Sequence, residues 1–369
     1  MNHYMSSSDR EFVDILRGAS ILRVVLAHLG LLWFYPPYSQ YIGVFLCLLF
    51  FISGAVSYGS FLRSSSPSFY LIRRLLLIVV PFYVFACVVL VTQVSFFPDM
   101  GVGNLVRWLL VWPALDRIYF PLGQIWFLNA LVAMVLLSFP LYLAMRFISW
   151  VWMIPLFLCF LVLVVDYFYD LRAFFLGSNF LKNLSWGNQA WTVVSLFSFF
   201  VLGSVYYRFF SGLKGKIAFF FSIILFFSYF FLVGLKGSGF YFSDYAIRRD
   251  LIYVVASLGA ILMILSLKRV VILVCRVRFL KYFFMFFNRY AYMIFLTHTL
   301  VLFWVERVLG WQDLSGDIYR AIARMVVVVI FTMLVSKPLG DFSRVASHWV
   351  VSKLDKIWFT SIIKYNRNA

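Results

Sequence analysis

The chain has 369 residues, 64% of them hydrophobic and only 12% charged, with a formal net charge of +18. A mean hydropathy of +0.95 excludes an ordinary soluble domain. The positive excess has no polar face to carry it, which excludes a nucleic-acid binder and points to loops that meet anionic lipid.

Residues 1–11 lack a basic leader, and no small-residue cleavage site follows the first apolar run, so no removable signal peptide is expected. A bilayer needs about 20 apolar residues per helix. Ten stretches meet that length: 12–35, 41–61, 75–95, 125–143, 150–168, 191–207, 217–235, 251–267, 290–308 and 321–339. The fold class is therefore an all-α integral membrane protein with about ten transmembrane helices. The domain reading is a transmembrane unit over residues 1–340 and a basic tail over 341–369, expected to be cytoplasmic.

Basic residues favour the loops on the N-terminal side by roughly two to one, which places both termini in the cytoplasm. Lys268 to Arg289 interleaves apolar and basic residues and reads as a surface-lying amphipathic segment. The end of the chain, from Asp355 onward, reads as a second inner-surface anchor or a loose tail. Cys47, Cys87, Cys159 and Cys275 have no metal-ligand or redox spacing, so they read as packing residues, and no bound metal is expected.

The first stretch, Phe12 to Tyr35, is apolar yet carries Asp14, Arg17, Arg23 and His28. Ionisable groups in a spanning helix face a bundle interior or a watery cavity. At 100° per residue, Arg17 and His28 return to one face, about 16 Å apart along the axis. Arg23 falls on another face and is expected to snorkel towards the cytoplasmic surface. For His28 a packing role and a role as base both remain open.

Asp14-Ile15-Leu16-Arg17-Gly18 followed by His28 resembles the opening of the membrane-bound acyltransferase-3 family. Further segments are similar in the same order: Phe50-Phe51-Ile52-Ser53-Gly54, then Arg73-Arg74 with Pro81 and Tyr83, then Gln124-Ile125-Trp126-Phe127-Leu128, then Tyr292 to His298. Departures are Ile78, where the family carries a second spaced arginine, Ser336 two residues before Pro338, where it often carries glutamate, and Thr299, where it carries proline.

The resemblance implies a bacterial inner-membrane O-acyltransferase acting on a cell-surface or lipid-linked glycan such as an O-antigen or exopolysaccharide. The co-substrate would be acyl-CoA, with acetyl-CoA first, and no cofactor would stay bound. His28 would serve as general base and Arg17 as its cationic partner, while Arg73 and Arg74 would meet the thioester's phosphates. Positive-inside anchoring is an equal reading for the Arg73–Arg74 pair. Asp14, Ser53, Trp126 and His298 are possible cavity residues. Helix packing competes for Ser53, a membrane-interface belt for Trp126 and a structural hydrogen bond for His298. Direct transfer and an acyl-enzyme both fit the residues, and the oligomeric state is not legible. From another class, a non-enzymatic glycan flippase would use the same charged stripe without a thioester.

Overall fold

The structure, a computed structural model, describes residues 5–29, 45–92, 102–110, 125–173, 187–210, 214–237, 248–311 and 317–368. Residues 30–35, 41–44 and 93–95 of the expected spans, together with Gln124, lie outside the described residues.

The elements in order are α1 (Ser7–His28), α2 (Phe45–Leu62), α3 (Pro67–Thr92), α4 (Val102–Leu109), α5 (Ile125–Phe147) and α6 (Met153–Tyr169). There follow α7 (Gly187–Val205), continued by a π-helical turn over Tyr206–Phe210, α8 (Gly215–Lys236) and α9 (Leu251–Ser266). The chain ends with α10 (Lys268–Val274), α11 (Arg278–Arg289), α12 (Ala291–Leu309) and α13 (Ile318–Asn368). No strand occurs among the described residues. This is an all-α membrane protein, as a lipid environment requires when every backbone group must bond within its own segment.

Among the described residues, seven helices are long and apolar enough to cross a membrane, or eight if the pair α9–α10, bent by 63°, is one span. Each of the ten expected segments overlaps a helix, but the count of ten is not reached by length and apolarity. α1 carries too many charges, and α6 has only 17 residues. The bend after Ser266 separates α10 and α11 from α9, so the expected amphipathic stretch is a distinct pair of short helices. The residues on both sides of the boundary expected at 340–341 belong to the one helix α13.

Contacts close a ring in which α1 packs on α2, α2 on α7, α7 on α5, α5 on α3, α3 on α12, and α12 on α1. α7 is 78% buried over its apolar window and α8 only 22%, so α7 belongs to the centre and α8 to the lipid-facing rim. Phe220, Phe227 and Phe231 of α8 are exposed accordingly. The α2–α7 contact is backbone on backbone. A Cβ on Gly54 would lie 1.8 Å from the Phe200 carbonyl oxygen, and one on Gly203 would lie 1.8 Å from that of Phe51. Small residues are what allow such an approach between membrane helices.

α1 starts at Ser6, whose hydroxyl accepts the Asp9 amide at 3.1 Å and satisfies one orphan donor of the first turn. Two ion pairs tie this end to the amphipathic segment, Asp9 with Lys268, and Glu11 with Lys281 at 2.6 Å.

Candidate functional site

His28 is the last residue of α1, followed by a Leu29 amide bonded to the Val25 carbonyl at 3.1 Å. The apolar run expected to carry the helix on to Tyr35 lies outside the described residues beyond Leu29. His28 is surrounded by protein yet keeps part of its side chain open to water. Its Nδ1 lies 2.7 Å from Nε2 of His298, which sits fully buried in the middle of α12. The ring planes differ by 8° with centroids 5.0 Å apart, an edge-on arrangement of nearly coplanar rings.

The protons on this pair follow from its far end. His298 Nδ1 is 3.0 Å from the Ile294 carbonyl oxygen, which can only accept, so Nδ1 carries the proton. Neutral His298 then offers a lone pair at Nε2, and His28 Nδ1–H donates to it. That leaves the lone pair of His28 at Nε2, away from the bond. Next to His298, the Thr297 and Ser336 hydroxyls lie 2.7 Å apart. The position where the resembled family often has glutamate thus closes a neutral hydroxyl pair here. Among the described residues, no group of His, Cys, Asp and Glu is placed to hold a metal ion.

Aromatic rings continue from the pair. Phe295 lies 5.9 Å from His298 and 4.5 Å from Phe127, and Phe127 stands edge-on to Trp126 at 6.0 Å. Trp126 carries the Arg249 guanidinium over its face at 4.8 Å. The structure therefore connects Trp126 to the His28 end of the bundle through packed rings.

Arg17 lies at the other end of the stripe, three turns of α1 from His28, with Asp14 and Arg74 within electrostatic reach. Asn288 of α11 lies close to the Asp14 carboxylate. Of the two tandem arginines, Arg74 turns inward with a buried Nε that has no hydrogen-bond partner, and Arg73 is exposed. Ile78, at the position of the family's second arginine, is buried apolar core. Ser53 is half-buried beside the closely packed Gly54.

Arg23 departs from expectation. It does not snorkel to the N-terminal surface but lies within electrostatic reach of His28, Tyr253 and Cys47 at the opposite end. The polar neighbours there, Tyr253 at the start of α9 and Cys47 on α2, offer a guanidinium more than a turn among apolar side chains would. The sequence reading also missed Arg249 and Arg324. Arg324 is buried and donates to Glu306 at 2.7 Å, to the Trp311 carbonyl at 3.1 Å and to the Leu29 carbonyl at 3.4 Å, pinning the end of α1 beside His28. Only the rarity of arginine in apolar helices could have drawn attention to it.

Comparison with known proteins identifies the family and leaves the roles of these residues aside. The acyltransferase domain of the acyltransferase-3 family matches residues 10–339, which is most of the chain. No curated protein and no solved structure matches the chain.

Proposed function

Because the chain belongs to the acyltransferase-3 family and is a multi-pass membrane acyltransferase, we propose that it transfers an acyl group, acetyl first, from cytoplasmic acyl-CoA to a hydroxyl of a cell-surface or lipid-linked glycan. The observation that carries this reading is the His28–His298 bond, which fixes the tautomer that leaves Nε2 of His28 as a base. As the acceptor O–H breaks, its proton passes to Nε2 and the oxygen bonds to the thioester carbonyl carbon. The C–S bond then breaks, and the imidazolium returns the proton to sulfur. The positive charge held meanwhile by His28 is shared with His298 through their hydrogen bond.

In this reading the basic end of the bundle faces the cytoplasm of a bacterial inner membrane. Arg17 and Arg74 meet the phosphates of the donor, since arginine forks suit phosphate oxygens. Their mutual repulsion, with no second carboxylate near Arg17 among the described residues, is what an incoming polyanion would relieve.

Mass spectrometry of surface glycans from cells with and without the gene tests the reaction. His28→Ala is expected to accumulate in the membrane and lose acylation by about 10² to 10⁴-fold. His298→Gln, whose amide oxygen can still accept from Nδ1, should retain more activity than His298→Leu. Normal acylation in His28→Ala would remove this base from the mechanism. Unmodified glycan in wild type and mutant alike would overturn the transfer itself.

A further inference from the structure

We infer that Arg23, Arg249 and the face of Trp126 form an anion-selective subsite at the His28 end, which receives a carboxylate or phosphate group carried by the acceptor. This assignment rests on the transfer reading for the word acceptor, but its geometry stands apart from the catalytic pair.

Arg249 holds a left-handed backbone, φ 55, that non-glycine residues seldom adopt and that persists only where the surroundings impose it. Its guanidinium donates to the Thr192 hydroxyl and lies 4.8 Å over Trp126, while its Nε is buried without a hydrogen-bond partner. The buried Nε of Arg23 likewise has none. Tyr253 and Cys47 are within electrostatic reach of both arginines.

Among the described residues no carboxylate pairs with either arginine. The obvious partner is turned elsewhere. Asp250, the very next residue after Arg249, is buried, accepts the Tyr253 amide at 3.1 Å as the cap of α9, and pairs with Lys236 at 3.6 Å. A desolvated cation is retained without a counter-charge only where something supplies one. The planar fork of a guanidinium against an aromatic face suits a carboxylate or phosphate beside a sugar ring. Arg23 is also within reach of His28, so a charged group held here would lie beside the base without touching the donor end.

The test uses the purified full-length protein in detergent micelles and its thermal midpoint as readout. Methyl β-glucuronide, glucose 1-phosphate and the neutral methyl β-glucoside serve as probes. The two anionic probes, or one of them, should raise the midpoint where the glucoside does not. Stabilisation by the glucuronide alone assigns a carboxylate, and by glucose 1-phosphate alone a phosphate. Arg23→Gln and Arg249→Gln should each weaken that response about tenfold in apparent affinity, the loss of one charge-assisted hydrogen bond. Arg248→Gln, an exposed neighbour, should leave it unchanged. His28→Ala should still show the anion response, so a failed base and a failed subsite are read separately. Equal stabilisation by charged and neutral sugars, no stabilisation by either anion, or selectivity that survives both arginine variants overturns the assignment.

Discussion

Arg324 and Arg249 lie at the same end of the bundle and are treated in opposite ways. Arg324 has a carboxylate at 2.7 Å and two backbone carbonyls, so its charge is answered within the chain. Arg249 has a hydroxyl and an aromatic face, with a strained backbone and no carboxylate partner among the described residues. The first pattern is that of a fastening between α12, α13 and the end of α1. The second is that of a cation without a counter-charge among the described residues. Buried charge in a membrane protein does not by itself mark a site; the supply of its counter-charge decides which kind it is.

The comparison breaks most sharply under Arg324→Met. Glu306, whose side chain is 20% exposed, would lose its cation, and the Leu29 and Trp311 carbonyls would lose their donor. Removing one partner of a buried pair costs about 3 kcal/mol or more. The variant is therefore expected to melt well below wild type and to accumulate poorly. Pairing it with Glu306→Leu should recover part of the loss, because apolar replacement of both partners removes the orphaned charge. A single variant as stable as wild type would show that the contact fastens nothing.

Arg249→Gly should move stability the other way. Glycine relieves a left-handed backbone that costs a side-chain-bearing residue about 1 kcal/mol, and it removes a cation that lacks a carboxylate. The melting midpoint should rise slightly while glycan acylation in cells falls. A variant that melts lower than wild type would place Arg249 with Arg324, as a structural group.

Much of this was legible beforehand, and the missing part has a physical reason. Apolar runs of membrane length announce the helices, because lipid leaves the backbone few alternatives. The shared face of Arg17 and His28 follows from helical periodicity alone. Pairing between His28 and His298 spans two helices far apart in the chain and gave no local signal. The face Arg23 takes on α1 points to the nearer surface, but its polar neighbours, Tyr253 and Cys47, come from other helices. Arg249 gave even less away, since a left-handed residue is read from glycine or asparagine and here is neither. The ending of α1 at His28 was hidden too, by apolar residues that continue past it.

The Arg17 end of the bundle offers the smallest contrast, between two adjacent arginines. Arg74 turns inward towards Arg17 and has a buried Nε without a partner, whereas Arg73 is exposed on the same turn of α3. If Arg74 meets the thioester's phosphates, Arg74→Ala should raise KM for acyl-CoA about tenfold, the loss of one charge-assisted contact. Arg73→Ala should change KM by less than about twofold, because an exposed charge is screened and interacts weakly. Its thermal midpoint should also stay close to wild type, as surface substitutions shift stability by about 0.5 kcal/mol or less. Assays on purified protein across acyl-CoA concentrations separate the two. Equal rises in KM would mean that the pair acts only as a diffuse positive surface, and the inward turn of Arg74 would then have no part in holding the donor.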